Sequence, residues 1–234
     1  MSFGSGLLLS AITSPDGSIP AAALILCTLL CTAVGYLLGG LNFATILSKK
    51  LYHDDIRNYG SKNAGSTNMM RTYGTKAALL TLLGDVLKGV VSVFVGGLLL
   101  GVTIGGYASA LGCVLGHVFP LYFGFKGGKG VATAAGAILL LHPLVFLCVV
   151  GVFVLTVVFS RYISLGSVLA AAVFPLLTFY TLFYARVDSL IAGSGFAFLC
   201  AFAIAVIVIV KHHENLSRLA HGKESKFAFK KSGK

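Results

Sequence analysis

Residues 116–133 of this chain read GHVFPLYFGFKGGKGVAT, and apolar sequence flanks them on both sides. At their centre three glycines fall within four positions, beside Lys126 and Lys129. Glycines permit unusual backbone turns and let a ligand approach the main chain closely. Successive N–H groups in such a turn, together with the start of a helix near Val131, form an anion-binding concavity. The stretch predicts a phosphate-binding loop; the alternative is a positively charged turn between membrane helices.

The loop is not a nucleotide-binding P-loop, which has four residues between its first glycine and its Gly-Lys pair, followed by Ser or Thr. Here three residues separate Gly124 from Gly128, and Gly130 follows Lys129. The Gly-x-Ser-x-Gly elbow, the His-Glu-x-x-His zinc motif and the His-x4-Asp dyad of many acyltransferases are also missing from the sequence. The chain therefore offers anion donors but no obvious protein nucleophile, and we expect no metal and no cofactor.

Composition excludes a soluble domain. Hydrophobic residues make up 57% of the chain and charged residues 11%, and the mean hydropathy is +0.93, whereas a soluble surface needs far more charge. These values predict an all-α integral membrane protein, and 234 residues suffice for about six to eight spans of about 20 residues each. The net charge of +11 fits an anionic membrane leaflet or anionic substrates, and does not separate them.

Small residues and cysteines predict how the spans pack. Pairs of glycines four residues apart favour close helix contacts in lipid, and they occur at Gly35/Gly39, Gly97/Gly101 and Gly112/Gly116. The cysteines are odd in number, lie in apolar runs and form no Cys-x-x-Cys motif: Cys27, Cys31, Cys113, Cys148 and Cys200. We therefore expect small buried hydrophobic residues rather than a disulfide framework or a zinc site.

Apolar runs predict seven transmembrane helices: residues 19–47, 75–100, 107–123, two short or tilted helices within 131–159, then 165–184 and 195–210. The run 131–159 is too long for one straight span of about 30 Å, and His142-Pro143 interrupts it, because proline disfavours helix at the preceding residue. Residues 48–74 form a polar connection. Residues 1–18 are predicted to be an extension without a basic leader or convincing cleavage site, residues 19–226 a single domain, and residues 227–234 a basic tail.

Charge favours the count of seven. With the amino terminus outside and the carboxyl terminus cytoplasmic, 16 of the 18 Lys and Arg residues lie on one side; Arg186 lies outside and Lys88 within a span. A single span over residues 131–159 would place Arg161 and the basic tail on the opposite side, against the positive-inside tendency. The same count places the polar clusters on the cytoplasmic face.

Two further polar clusters accompany the loop. Residues 55–71 read DIRNYGSKNAGSTNMMR, rich in the hydroxyls, amides and guanidinium groups that recognise oxyanions, and a hydrophilic connector is the alternative. Residues 211–219 read KHHENLSRL. If the last helix continues through them, His212 and Asn215 share a face; a helix-end cap is the alternative for His212.

Asp85 and Lys88 lie within a span, three residues apart on one helix face. Ionisable groups in a span are costly and usually have a role. Mutual pairing as a structural plug and direct contact with substrate both remain open.

In order and spacing, residues 60–71 (GSKNAGSTNMMR), 116–133 and 212–225 (HHENLSRLAHGKES) resemble the three cytoplasmic motifs of the bacterial acyl-phosphate:glycerol-3-phosphate acyltransferases (PlsY type). The resemblance runs from about residue 19 to residue 226. It implies seven spans in the bacterial cytoplasmic (inner) membrane, with the active site at the cytoplasmic face. It also implies transfer of a fatty acyl group from acyl phosphate to the 1-hydroxyl of glycerol 3-phosphate, giving lysophosphatidate and inorganic phosphate. Neither acyl-CoA nor acyl carrier protein would be the direct donor, and no nucleic acid would be a partner.

Carried over position by position, the resemblance implies two sets of site residues. The catalytic set is Ser61, Arg71, Lys129, His212 and Asn215. The substrate-binding set is Asn63, Thr67, Asn68, Lys126, Gly127, Gly128, Gly130 and Glu214, and Glu224 is a further candidate of the third motif. Three positions depart from the family pattern: Lys62 stands where the family has a flexible glycine, Ser66 where it usually has alanine, and His213 where arginine is common. Lys62 puts the geometry of its loop in question while adding a cation to an anion site.

The chemistry suits these residues independently. Acyl phosphate arrives activated, so no acyl-enzyme is needed, and positioning and charge stabilisation supply the acceleration. A substrate phosphate oxygen is the expected proton acceptor, because a phosphate monoester has a pKa near 6; His212 as general base is the rival. A transporter or channel for an anionic solute is the main alternative function, but its sites are expected near the midplane and often within repeated halves. A purely structural subunit would leave the three polar clusters unexplained.

Overall fold

Long apolar helices dominate the computed structural model, which describes residues 6–183 and 194–227. Within these residues no β-strand occurs, and the all-α prediction is confirmed. The α-helices of this part are α1 (Leu7–Ile12), α2 (Ala21–Gly39), α3 (Phe43–Tyr52), α4 (Ser66–Tyr73), α5 (Thr75–Leu100), α6 (Tyr107–Val118), α7 (Val131–Leu141), α8 (Pro143–Ser160), α9 (Ile163–Phe183), α10 (Ser194–Val210) and α11 (His213–Ala220). Two 3-10 turns (Ile56–Asn58 and Leu121–Phe123) and a π-helical segment (Gly101–Gly106) connect some of them.

Four stretches of the described chain are long and apolar enough to cross a membrane: Ala21–Tyr52, Thr75–Phe123, Pro143–Ser160 and Ile163–Phe183. Counting the bent pair α10 and α11 as one span gives a fifth, and α7 is a shorter apolar helix. These helices agree with a multi-pass membrane protein, and the number seven stays a prediction.

The 49-residue stretch Thr75–Phe123 turns back on itself at its middle. The Ser92 hydroxyl donates a hydrogen bond of 2.9 Å to the carbonyl of Ser109, and Gly96 packs against Gly105. The residue number rises along α5 from Ser92 to Gly96 while that of the contacting residue falls from Ser109 to Gly105. Helices α5 and α6 are therefore antiparallel.

Several helix boundaries match the sequence prediction. Helix α5 spans Thr75–Leu100 as expected. Helix α7 ends at Leu141 and α8 begins at Pro143, so His142 marks the predicted break. Proline is accepted at the first position of α8 because its missing N–H has no partner there in any case.

Two boundaries were predicted wrongly. The first apolar run is interrupted after Gly39, and α3 begins afresh at Phe43 because the Asn42 side chain caps it, accepting from the Thr45 amide at 2.9 Å. Helix α6 ends at Val118, ahead of Pro120, and not at Phe123. Helix α10 ends at Val210, as predicted. Helix α11 departs from it at 51°, so the conditional expectation that His212 and Asn215 share a face of one continuous helix is wrong.

Close packing of α2 on α6 uses the predicted small residues. Gly35 lies against Ser109 and Gly39 against Cys113, while Gly112 and Gly116 lie against the α2 backbone. Each pair advances in the same direction on both helices, so α2 and α6 are parallel. Backbones this close leave no room for a Cβ. The pair Gly97/Gly101 does not behave this way: within the described residues Gly97 has only Val102 nearby, and Gly101 faces open space.

The cysteines are all free. Cys31, Cys113 and Cys200 are buried, as expected, but Cys27 is only partly buried and Cys148 is exposed on α8. Helix α8 packs mainly through one narrow face, whose buried residues are Val145, Val149 and Val157, and Cys148 lies outside that face.

The described part of the amino-terminal extension packs on the bundle. Leu8, Leu9 and Ile12 contact a small core of Cys31, Leu100 and Ala108. The extension is therefore attached beside the turn between α5 and α6.

Candidate active site

The Gly/Lys loop, residues 124–130, connects the end of α6 to the start of α7. Gly124, Phe125 and Gly130 take positive φ angles of 65°, 60° and 83°. Gly130 occupies the N-cap position of α7, so the helix begins at Val131 as the sequence predicted. The three left-handed residues fold the loop back toward the bundle, with the positive end of α7 directed at it.

Glycine is required in the middle of this loop for close packing against protein. A Cβ at Gly127 would collide with the His117 carbonyl, and one at Gly128 would collide with the His117 ring and come within 2.6 Å of the Ala64 carbonyl. The Gly128 amide donates to the His117 carbonyl at 3.1 Å. The second motif therefore lies directly on α6 and on the first motif.

Beneath the loop lies a buried polar cluster. The Lys88 ammonium is 2.9 Å from the Asp85 carboxylate and 2.7 Å from Nδ1 of His117. It also donates to the carbonyls of Gly39 and Leu41, both at 3.0 Å. A cation at the end of α2 satisfies carbonyls that the helix leaves unpaired. Of the two readings open for Asp85 and Lys88, this arrangement supports the structural one.

His117 connects that cluster to the loop. An ammonium can only donate, so Nδ1 of His117 accepts from Lys88 and Nε2 carries the ring proton. The same ring lies against Gly128. His117 was not among the site residues predicted from the sequence, although a histidine at the membrane end of α6, one residue after Gly116, is itself an unusual polar position.

Arg57 joins the first motif to the Gly/Lys loop. Its Nε and Nη2 donate to Asp55, with the shortest contact at 2.7 Å, and its Nη1 donates to the carbonyls of Phe123 and Lys126 at 2.6 and 3.2 Å. Asp55 also accepts from the Arg57 amide. The hydrogen bonds from Arg57 lower the pKa of Asp55 to about 2. The carboxylate therefore stays ionised, and Arg57 keeps the two loops attached to each other.

Lys129 joins the second motif to the third. Its ammonium donates a hydrogen bond to Oδ1 of Asn215. The Asn215 amide group in turn donates to Oε1 of Glu224 at 2.6 Å, an oxygen that also accepts from the Ser164 hydroxyl at 2.8 Å. Arg218 binds the other carboxylate oxygen of Glu224 at 2.8 Å. The carboxylate therefore fixes which end of the Asn215 amide faces Lys129.

Glu224 and Ser164 are central to this arrangement. From the sequence Glu224 was only a further candidate, and Ser164 was not predicted at all. The side chain of Glu224 is only 7% exposed. Burial alone would raise its pKa, but the hydrogen bonds from Asn215, Ser164 and Arg218 outweigh that effect, and the pKa of Glu224 is lowered. Ser164 lies in the first turn of α9, 60 residues before Glu224 in sequence, and only the fold brings the two together.

Lys129 has an unusual pKa for a lysine. Removal from water, followed by repulsion from Arg218 and Arg71, lowers the pKa of Lys129 to about 8, against opposing contributions from Glu224 and Glu214. Arg71 of the first motif and Glu214 of the third are therefore near the same ammonium. This brings four of the predicted site residues (Lys129, Arg71, Asn215 and Glu214) into one electrostatic group.

His212 belongs to the same group. It is 3% exposed, and its Nδ1 lies 2.7 Å from the carbonyl of Val208. A carbonyl only accepts, so Nδ1 carries the proton and Nε2 has the lone pair. Burial is the main reason that the pKa of His212 falls to about 4, and the charge of Lys129 adds to it. His212 is neutral at physiological pH.

The remaining residues of the first motif take different positions. Asn68 is buried, and its amide group binds the carbonyls of Ile56 and Tyr59 and the amide of Ser61, which holds the turn together. Ser61 is exposed at the loop surface, whereas Asn63 and Thr67 are half-buried. Direct contact of these four side chains with substrate stays a prediction.

Within residues 6–183 and 194–227, no cluster of three or more His, Cys, Asp or Glu residues could hold a metal ion. The groups gathered at the site are ammonium and guanidinium groups, loop amides and the imidazole rings of His117 and His212. Fold and site together define an integral membrane protein with a cationic, phosphate-suited centre where several helix ends meet.

Comparison with known proteins identifies the family. Residues 29–222 match the family model described as glycerol-3-phosphate acyltransferase. The chain belongs to this family, and it is an integral membrane acyltransferase of phospholipid biosynthesis.

Relatives and solved structures agree. The chain is 45% identical over 201 residues to the glycerol-3-phosphate acyltransferase of Trichlorobacter lovleyi, covering 83% of this chain and 95% of the relative. It is 41% identical over 193 residues to that of Finegoldia magna, covering 82% and 92%. A crystal structure of PlsY, an integral membrane glycerol 3-phosphate acyltransferase, in its glycerol 3-phosphate form superposes with a TM-score of 0.70 at 35% identity, covering 86% of this chain and 96% of that one. The lysophosphatidic acid form gives 0.70 at 32% identity, covering 86% and 95%.

Proposed function

We propose that this protein transfers a fatty acyl group from acyl phosphate to the 1-hydroxyl of glycerol 3-phosphate, releasing lysophosphatidate and inorganic phosphate. Membership of the glycerol-3-phosphate acyltransferase family supports the acceptor and the acyl transfer. The donor is inferred from the motifs, which resemble those of the acyl-phosphate-dependent enzymes, and from the absence of a nucleophile motif in the sequence.

The observation that carries this proposal is the hydrogen bond between Lys129 and Asn215, with Arg71 and His212 in the same electrostatic group. An acyl phosphate is a mixed anhydride with phosphate as leaving group, and it needs no covalent enzyme intermediate. The work left to the protein is to hold two anions side by side and to stabilise charge on the leaving phosphate. Charge-assisted donors in a partly desolvated site perform that task.

The acceptor hydroxyl must lose a proton when its oxygen attacks the acyl carbonyl. In the proposed mechanism a phosphate oxygen of a substrate accepts it. The geometry of His212 suits a base, since its Nε2 has the lone pair, but a pKa of about 4 makes it a weak one. A phosphate monoester with a pKa near 6 is better matched to neutral pH.

The test is a defined reaction with the purified protein in detergent. Acyl phosphate and glycerol 3-phosphate are supplied, and inorganic phosphate and lysophosphatidate are measured; acyl-CoA and acyl carrier protein thioester replace the donor in parallel. With glycerol 3-phosphate as acceptor, we expect equal amounts of the two products when acyl phosphate is the donor and no product with either thioester. Product formation only from a thioester would refute the donor, and solute flux in vesicles without any product would favour a transporter.

We also propose seven crossings of the bacterial cytoplasmic membrane, with the amino terminus outside and the site facing the cytoplasm. The parallel course of α2 and α6, and the antiparallel course of α5, support this arrangement. The site also supports it, because the carboxyl-terminal ends of α2, α6 and α10 and the start of α9 all meet there. Reporter fusions after Lys129 and after residue 220 should both read cytoplasmic, and opposite readings would refute the topology.

A further inference from the structure

The chain that follows α11 turns back toward the bundle. It leaves the helix through Gly222, which has a left-handed φ of 67°. The Gly222 amide donates to the Leu219 carbonyl at 3.0 Å, and the Lys223 amide donates to the Arg218 carbonyl at 2.7 Å. These are the two hydrogen bonds of a Schellman motif, and they fix the direction in which the chain departs. Residues 223–227, here called the strap, lie just beyond the residues that match the family model.

The strap runs antiparallel to residues 161–164, the turn between α8 and α9. Three contacts join the two segments in one register, with residue numbers that rise along the strap and fall along the turn. They are the Ser164 hydroxyl donating to Glu224 (2.8 Å), the Lys226 ammonium beside the Tyr162 ring (5.9 Å to its centre) and the Phe227 amide donating to the Arg161 carbonyl (2.6 Å). The strap therefore follows the turn along its length.

Phe227 anchors the far end of the strap. It is half-buried, and it is the only apolar residue among residues 223–227. Its side chain lines an apolar pocket of about 280 Å³. The other residues that line the pocket come from α8 and the first position of α9: Phe153, Val154, Val157, Val158 and Ile163. Removing aromatic surface from water against such a wall is favourable, so the pocket opposes release of the strap.

The near end of the strap carries Glu224, which belongs to the site. Its Oε1 accepts from the Asn215 side-chain amide at 2.6 Å, and Oδ1 of Asn215 therefore faces Lys129. If the strap came away, Asn215 would be free to turn its amide, and an NH₂ group facing an ammonium cannot accept its hydrogen bond. The orientation of Lys129 thus depends on a segment whose apolar anchor lies three residues beyond Glu224.

We propose that Phe227 is a positioning residue for acyl transfer: it docks the strap on the turn between α8 and α9 and so holds Glu224 against Asn215, which orients Lys129. Phe227 itself touches neither substrate nor Lys129 in this mechanism. The proposal rests on the proposed function for the reaction in which Lys129 takes part.

The experiment compares three variants of the full-length protein in detergent. Phe227→Ala removes the anchor, and Phe227→Leu keeps an apolar side chain of similar reach. Phe159→Ala is the matched control, because Phe159 is an aromatic residue at the same end of α8 that is 84% exposed and does not line the pocket. Steady-state kinetics with acyl phosphate and glycerol 3-phosphate are combined with hydrogen–deuterium exchange of peptides that cover residues 222–227.

Phe227→Ala should lower kcat/KM about threefold to tenfold, the size expected for losing a half-buried aromatic contact. Exchange over the strap should become faster in the same variant, because the Phe227 amide is no longer held at the Arg161 carbonyl. Phe227→Leu should recover most of the activity, and Phe159→Ala should match the wild type. Wild-type kcat/KM in Phe227→Ala, or a loss that Phe227→Leu does not recover, would overturn the proposal.

The pH profile separates positioning from a general loss of stability. The charged groups near Lys129 are Arg71 of α4, Glu214 and Arg218 of α11, and Glu224 of the strap. Glu224 counteracts the lowering of the Lys129 pKa and also pairs with Arg218. Release of the strap removes both effects, so the alkaline limb of kcat/KM should move to lower pH in Phe227→Ala. A uniform loss of activity with the limb at its wild-type position would reject the positioning role.

Failure of this proposal is distinguishable from failure of the acyltransferase proposal. If the wild-type protein forms no lysophosphatidate, the proposed function fails whatever the variants do. Exchange still tests the docking of the strap in that case, since it needs no substrate, and an unchanged rate in Phe227→Ala would overturn it. If the wild type is active and Phe227→Ala is indistinguishable from it in kinetics, pH profile and exchange, the strap is rejected and the function is kept.

Discussion

The low pKa of Lys129 makes a quantitative prediction about pH. An ordinary lysine has a pKa of 10.5, and here it is about 8; the difference corresponds to about 3 kcal/mol against the charged form. The free protein therefore loses this ammonium as the pH rises through about 8. If the charged form is needed to bind phosphate, kcat/KM should fall about tenfold for each further pH unit.

The bound state should behave differently. A phosphate dianion placed beside the ammonium favours its charged form, so the alkaline limb of kcat should lie at higher pH than that of kcat/KM. The assay is phosphate release from acyl phosphate between about pH 6.5 and pH 10, at limiting and at saturating glycerol 3-phosphate. Blanks without protein correct for spontaneous hydrolysis of the donor.

Lys129→Arg is the matched variant, because a guanidinium stays charged throughout this range. Its activity should be lower overall, since the shape of the group differs, but the alkaline limb near pH 8 should be gone. A flat kcat/KM up to pH 10 in the wild type, or the same limb in Lys129→Arg, would refute the assignment of this pH dependence to Lys129.

Three further predictions concern single residues. His212 has a lowered pKa of about 4, so it becomes charged only as the pH falls through 4. An acid limb of kcat near pH 6 should therefore come from substrate phosphate and persist in His212→Gln. Disappearance of that limb in the variant would favour His212 as the base. Arg71→Lys should lower kcat/KM at least about tenfold, because one ammonium cannot replace a two-pronged guanidinium, and wild-type kinetics would contradict this. Lys62→Gly removes a left-handed lysine and should raise the thermal unfolding midpoint in detergent, for a gain of about 1 kcal/mol; a lowered midpoint would count against it.

The sequence predicted those parts of the fold that depend on local composition. Hydropathy located α5, α8, α9 and α10, because each is long, apolar and bounded by polar residues. His142-Pro143 predicted the break between α7 and α8, since the restriction imposed by proline acts on its neighbour alone. The start of α7 at Val131 followed from the glycines ahead of it.

Other parts depended on contacts between distant residues. The interruption after Gly39 lies inside an apolar run, and it exists because Asn42 caps α3 and the Lys88 ammonium receives the free carbonyls of α2. The cap joins residues three apart and is a local pattern. The contact of Lys88 with α2 joins residues 49 apart, so the folded bundle supplies it and no local pattern reports it.

The site shows the same division. Charge and glycine content singled out the three motifs, and the fold brings Lys129 into direct contact with Asn215, with Arg71 close enough to lower the pKa of Lys129. What the pattern could not tell was which polar side chains support the loops themselves. Asn68 has the composition of a ligand-binding residue, yet its amide binds backbone groups 7 to 12 residues away.

The contact of Lys88 with α2 has a consequence for the order in which the protein is made. The carbonyls of Gly39 and Leu41 leave the ribosome well before the ammonium that satisfies them, and His117 later still. The support for the Gly/Lys loop is therefore finished only a few residues ahead of the loop itself. A nascent chain that ends before His117 has the first helices but lacks one member of the buried cluster of Asp85, Lys88 and His117. A chain that has passed Gly130 contains both the complete cluster and the loop that packs on it.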